Sequence, residues 1–332
     1  MKFFWRLLGG VGAFALLGAV LLAWRAFTPI ALSQSPLDVQ ISSGSTARAV
    51  GRQVAEAGAD LNPRVFELLV RLTRSAAGIK AGSYELRQGV TPWQLLQKLT
   101  RGDTSQGEVA LIEGWTFRQF RERLNANPDL SHQTVAWTDK EILQHIGATE
   151  NHPEGLFFPD TYLFDKGGSD LEVYVRAYRL MQDKLQQAWQ ERDGRLPYTS
   201  PYQALVVASL VEKETAVAED RPKVAAVFLN RLKRGMPLQT DPTVIYGLGR
   251  NFDGNLHKAD LQGDTPYNTY RHRGLPPTPI AMPGNAALQA ALHPARSSAL
   301  YFVARGDGSS EFSADLESHN RAVARYQLKN RP

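Results

Sequence analysis

Two carboxylates follow a run that is apolar from Ala204 to Val211 except for Ser209, in the order Glu212, Lys213, Glu214. On a helix they point about 200° apart, so one cleft can receive only one of them. Glu214 shares an arc with Val207, Leu210 and Val211, whereas Glu212 falls nearer Ala208 and Ser209. Apolar surroundings favour the neutral form of a carboxyl group and raise its pKa, as a general acid working near neutral pH requires. The negative end of the helix dipole pushes the same way. The plainer alternative is two solvated glutamates where a helix surfaces. The helix is too apolar for a surface position, and Glu214 is the candidate acid.

The helix that carries it has a clear beginning. Ser200 is a capping residue and Pro201 suits the first helical position, where a missing N–H costs nothing. A second helix follows over residues 221–233, with Val224, Val227, Phe228 and Leu232 on one side and Gly235 and Pro237 as its stop. Beyond it, residues 239–249, 266–270 and 274–284 concentrate Pro, Gly, Tyr, Asn and Thr, which predicts stiff loops rather than regular structure. Gln239, Thr240, Asp241, Tyr246, Tyr267, Asn268 and Tyr270 are the candidates there for gripping a carbohydrate; the alternative for each is loop-structuring hydrogen bonds. Upstream, the segment from Glu154 to Tyr162 is broken by Gly155 and Pro159. It gathers Glu154, Asp160 and Tyr162 into a polar and aromatic cluster suited to sugar rings, or to ordinary loop packing.

The 332 residues are enough for two or three domains. The chain has no cysteine, which excludes disulfides, thiolate metal sites and a cysteine nucleophile. A net charge of +5, with Lys and Arg scattered among acids, suits an anionic polymer or membrane surface and shows no nucleic-acid ladder. The 7 histidines have no ligand spacing, and no metal or cofactor is expected. Serine-hydrolase, P-loop, Rossmann and zinc-protease motifs are missing, and carboxylate chemistry on a glycan is what remains.

From Leu7 to Trp24, 18 residues carry no charge, flanked by Lys2, Arg6 and Arg25. That is just long enough to cross a bilayer, with Trp5, Trp24 and Phe27 as interfacial anchors. A cleaved signal peptide is the weaker reading, because the apolar run is long and a basic flank follows it. The expected order is a tail over residues 1–6, a single transmembrane helix over 7–25, a linker over 26–36, a small domain over 37–106 and a catalytic domain over 107–332. The large part is expected outside the cytoplasm, in the periplasm at the inner membrane.

A weak repeat organises the next portion. Gly, then Thr two residues on, then apolar residues four and eight positions after the Thr occur at Gly44, Gly89 and Gly114, with Thr46, Thr91 and Thr116 as predicted N-caps. With a further helix beginning at Pro63, residues 38–87 read β-α-α-β. That order resembles a LysM module, a fold that binds GlcNAc-containing glycans; a purely structural α+β module is the alternative. The fold class is α+β: the membrane helix, the LysM-like βααβ module, and a mixed catalytic domain around a buried central helix.

Val211 to Thr215, residues 221–232, Leu238 to Gly247, Pro266 to Tyr270 and Gly274 to Ile280 together closely resemble the YceG-like endolytic murein transglycosylases, over nearly the whole chain. The family's catalytic glutamate matches Glu214. The resemblance implies non-hydrolytic cleavage of MurNAc-β-1,4-GlcNAc bonds within peptidoglycan strands, giving 1,6-anhydroMurNAc ends and trimming or ending nascent strands. It also implies work at the inner membrane beside peptidoglycan synthases, the penicillin-binding proteins. A muramidase-type hydrolase and a non-catalytic glycan-binding scaffold for those synthases are the rival readings.

Overall fold

The computed structural model describes residues 17–328 except 19. The expected membrane span lies mostly outside the described residues, and among those described no helix is long and apolar enough to cross a membrane. A helix over residues 20–27, α1, is the first element, and the chain divides into two compact units.

The first unit takes the residues up to Glu108 together with Pro128–Ser131 and Leu163–Ser169, two returns that a linear division of the chain does not contain. Its sheet pairs β1 (Leu37–Ile41) with β2 (Gly82–Leu86) antiparallel, Leu37 opposite Leu86 and Val39 opposite Tyr84. Period-2 alternation turns Leu37, Val39 and Ile41 inward and leaves Asp38 and Gln40 in solvent. Between the strands run α2 (Ala47–Glu56) and α3 (Pro63–Leu72), so the order β-α-α-β is present, and α4 (Pro92–Arg101) follows. Thr46 caps α2 and Thr91 closes a full capping box on α4, as the repeat predicts.

The segment expected to act as a linker is part of this core. Ala26 and Ile30 are buried with Val50, Phe66, Tyr84 and Leu95. Ile30 N–H donates to the Val90 carbonyl, Ser33 N–H to Gly58 and Asp60 N–H to Ala31. Residues 26–36, expected to be a linker, are held down by two apolar side chains and these backbone bonds.

A further two-stranded sheet joins β3 (Gln106–Ala110) and β4 (Thr161–Asp165). The second unit holds Val109–Asn127, His132–Tyr162 and the chain from Asp170 onward. It contains α5 (Phe117–Asn125), α6 (Asp139–Ile146), α7 (Asp170–Gln190), α8 (Pro201–Glu214), α9 (Arg221–Lys233), α10 (Asp241–Leu248), α11 (Lys258–Gln262) and α12 (Asn285–Leu292). The hairpin of β5 (Tyr301–Ala304) and β6 (Ser310–Ser313) and helix α13 (Leu316–Val323) complete it. Thr116 closes a capping box on α5, the third copy of the repeat.

Helix α8 is the axis of this unit. Ser200 caps it and Pro201 opens it. Every residue from Ala204 to Val211 is buried, against α12, α9, α7 and α10. The mid-helix Ser209 is satisfied locally, donating to the Val206 carbonyl at 2.7 Å and accepting from Ile280 N–H at 3.0 Å.

One expectation fails here. Residues 239–249 are not all loop, since Asp241–Leu248 is helical. Pro242 sits in its first turn, where proline is tolerated, and Gly249 ends it, so residues that look like breakers delimit a short helix.

Candidate active site

The two acids at the end of α8 separate as the helix geometry requires. Glu212 Oε2 accepts from Gly284 N–H at 2.9 Å, at the start of α12, and Arg221 lies 3.8 Å from its other oxygen. Its side chain is only 7% exposed, less open than its place beside Ala208 and Ser209 suggested. The arc of the helix does not discriminate between the acids, because α8 is buried all round. What discriminates is the partner: Glu212 serves the start of another helix.

Glu214 is half-buried and turns toward the Thr240 hydroxyl, which donates to Oε2 at 2.6 Å. Burial raises its pKa, the Thr240 bond and buried Arg231 oppose the rise, and the charge of Asp241 adds to it. The net direction is up. Around this acid the structure brings together Gln239, Thr240, Asp241 and Tyr270. The Tyr270 hydroxyl donates to Asp241 Oδ1 at 2.6 Å. Gln239 holds a left-handed φ of 51°, fixed by its N–H to the Thr269 carbonyl at 3.1 Å. Such a conformation is strained in a non-glycine residue, and the bond shows what holds it. Thr240 N–H donates to the Thr269 hydroxyl at 3.1 Å, which orients the threonine toward Glu214.

Arg231 was not singled out from the sequence. Its guanidinium is buried beneath this loop, donating to the Leu238 and Leu300 carbonyls at 2.8 and 2.7 Å and to Gln239 Oε1 at 3.3 Å. The signal was available: Val224, Val227, Phe228 and Arg231 share one helical stripe, and a cation on an apolar stripe needs buried partners.

A second acid site lies along the same helix α10. Glu154 is 3% exposed, with Oε1 accepting from Phe117 N–H at 2.8 Å and Oε2 from the Tyr246 hydroxyl at 2.9 Å. Burial lifts its pKa to about 7 against these two bonds. Gly155 makes the close approach possible, because at φ 80° a β-carbon there would stand 2.5 Å from Pro279 Cβ. Tyr246 meets Tyr267 edge to face at 4.8 Å, and the Tyr267 hydroxyl shares a 2.9 Å bond with Thr278.

Tyr162 and Asp160 stand apart from both groups in their bonding, and Asn268 touches the first only through the Tyr270 backbone. Tyr162 is buried and its hydroxyl donates to the Phe158 carbonyl at 2.7 Å. Asp160 is exposed and accepts from Thr161 N–H at 2.7 Å. Asn268 is fully buried and ties its own loop together, donating to Gly263 at 2.6 Å and accepting from Tyr270 N–H at 3.0 Å. No cluster of His, Cys, Asp and Glu able to hold a metal occurs among the described residues.

Fold and site together define an α+β protein with a carboxyl group held toward its neutral form at the end of an internal helix, beside an exposed amide and carboxylate and a half-buried phenol. The family model described as the YceG-like family matches residues 39–325, and the chain belongs to that family. It is 33% identical over 311 residues to an endolytic murein transglycosylase of Bacillus subtilis (strain 168), covering 89% of this chain and 86% of the relative. An endolytic murein transglycosylase of Streptococcus pneumoniae serotype 2 is 28% identical over 336 residues, and there the match spans 89% of this chain and 59% of the relative. A crystal structure of a yceG-like protein from Listeria monocytogenes superposes with a TM-score of 0.51 at 28% identity, covering 87% of this chain and 99% of that one.

Proposed function

We propose that this chain is a lytic transglycosylase that cleaves MurNAc-β-1,4-GlcNAc bonds within murein strands, with Glu214 as the group that carries the proton. The observation that carries the reading is the Glu214 carboxyl itself: its neutral form is favoured, and the Thr240 hydroxyl occupies Oε2. That bond leaves Oε1 to hold the transferable proton. Family membership and the names of the relatives support the substrate class.

In the first step Oε1–H protonates the glycosidic oxygen while the C1–O bond of MurNAc breaks and positive charge develops at C1. The Thr240 hydroxyl and Arg231 then favour the carboxylate that Glu214 has become. In the second step that carboxylate removes the proton of the same sugar's C6 hydroxyl, and O6 closes on C1 as the 1,6-anhydro ring. One acid works in both steps and no water is consumed, unlike the two-carboxylate hydrolases. Asp241 favours the protonated start, and the Tyr270 hydroxyl holds its orientation.

Digestion of purified sacculi followed by mass spectrometry tests the reaction. Anhydro ends, one water lighter than reducing MurNAc ends, are expected. Reducing ends would make the protein a muramidase, and uncut sacculi would leave a glycan-binding scaffold. Glu214→Gln should lower turnover by about 10²–10⁴-fold, the usual worth of a general acid, with its thermal unfolding unchanged; undiminished turnover would remove Glu214 from the mechanism.

The same reading sets residues 7–25 across the inner membrane, with residues 1–6 in the cytoplasm and the residues after the span in the periplasm, supported by the uncharged run between basic flanks. It treats the βααβ order of the first unit as a LysM-like glycan contact and the penicillin-binding synthases as neighbours acting on the same strands. Protease accessibility in spheroplasts checks the placement: shielding of the chain from external protease would overturn it.

A further inference from the structure

Alongside α10 lies a cleft of about 620 Å³, with Tyr246, Tyr267 and Phe252 among its lining residues. Three cations line it, Arg118, Lys213 and Arg250, all exposed. Its one acid is Glu154, whose two oxygens are occupied by Phe117 N–H and the Tyr246 hydroxyl. The cations are weakly committed. Arg118 reaches one acid, Glu122, at 4.0 Å, and Lys213 donates to the Gly114 carbonyl at 3.2 Å. Arg250 enters no ion pair among the described residues. Arg118, Arg250, Glu154 and Tyr246 also line a second cleft of about 500 Å³, so the two arginines belong to the wall the clefts share.

Aromatic rings and weakly committed guanidinium groups lining one cleft suit a ligand with an apolar body and free carboxylates. The glycan of murein carries no charge. Its carboxylates sit on the peptide stems attached to each MurNAc. Geometry places such a stem close to the chemistry: Asp241 and Tyr246 are five residues apart on α10, about 7.5 Å along its axis, and Lys213 adjoins Glu214 in the chain.

We propose that this cleft is a subsite for the peptide stem of the murein strand, with Arg118 and Arg250 binding stem carboxylates while the glycan crosses Glu214. The assignment rests on the murein-cleaving reading above. It makes the enzyme a reader of stem-bearing strands, drawing part of its substrate affinity from a group remote from the broken bond.

The experiment compares uncrosslinked murein strands with intact stems and the same strands stripped by an amidase, which hydrolyses the lactyl amide, removes the stem carboxylates and leaves one lactyl carboxylate on each MurNAc, using the full chain and an Arg118→Gln/Arg250→Gln variant. The wild type should show a kcat/KM about tenfold higher on intact strands, the scale of two exposed charge pairs. The difference should lie in KM and shrink with added salt. In the double variant the ratio should fall to about one, with cleavage of stripped strands and thermal unfolding unchanged. A wild type that cuts both substrates equally, or a variant that loses activity equally on both, overturns the subsite alone. Failure to cut either substrate overturns the catalytic reading as well.

Discussion

Glu154→Gln tests whether the second acid is held neutral by its burial. In the folded chain its pKa stands at about 7 against an ordinary 4.5. A raised carboxyl contributes stability that is fully present below the unfolded value and is lost as pH rises through the folded one. Between about pH 5 and 8 those two values correspond to a loss of about 2.5 kcal/mol in the wild type, at 1.36 kcal/mol per pKa unit. Glutamine keeps the carbonyl that accepts from Phe117 N–H and offers an amide toward the Tyr246 oxygen, so it imitates the neutral acid without titrating. The variant should therefore be less pH-sensitive, and the gap should widen in its favour as pH rises. Urea unfolding of both proteins across this range, followed by tryptophan fluorescence, gives the difference directly. A gap independent of pH, or one that closes as pH rises, would refute the argument that burial outweighs the two hydrogen bonds.

Two further substitutions probe the acid and the first unit. Thr240→Val removes the hydroxyl that favours ionised Glu214, so the alkaline limb of the kcat/KM profile should move to higher pH, while kcat falls about tenfold or more for the lost bond to a charged group; a limb that stays in place would detach Thr240 from the acid. Ile30→Ala should destabilise the first unit by about 2–4 kcal/mol, the cost of a cavity in a packed core; an unchanged unfolding midpoint would mean that residues 26–36 are not part of that core.

Much of this architecture is local and so could be read in one dimension. Thr46, Thr91, Thr116 and Ser200 cap their helices because a capping hydroxyl needs only the next three residues. The apolar run of α8 identified a buried helix for the same reason. What escaped depends on distant partners. Glu154 meets Tyr246 across 92 residues, and Glu212 meets Gly284 across 72. No local pattern tells an acid which donor it will find. Helix α10 escaped differently: Pro242 and Gly249 were read as breakers without their positions at its two ends. The expected linker over residues 26–36 likewise holds two core anchors, Ala26 and Ile30, whose partners are distant in sequence.

That packed entry segment has a mechanical consequence. With Ala26 and Ile30 set among the first unit's core side chains, the chain has no swivel between α1 and the sheet of β1 and β2. Whatever restrains α1 also restrains that unit. A bilayer holding α1 would set the heading of the unit, as a keel does, without a separate docking contact.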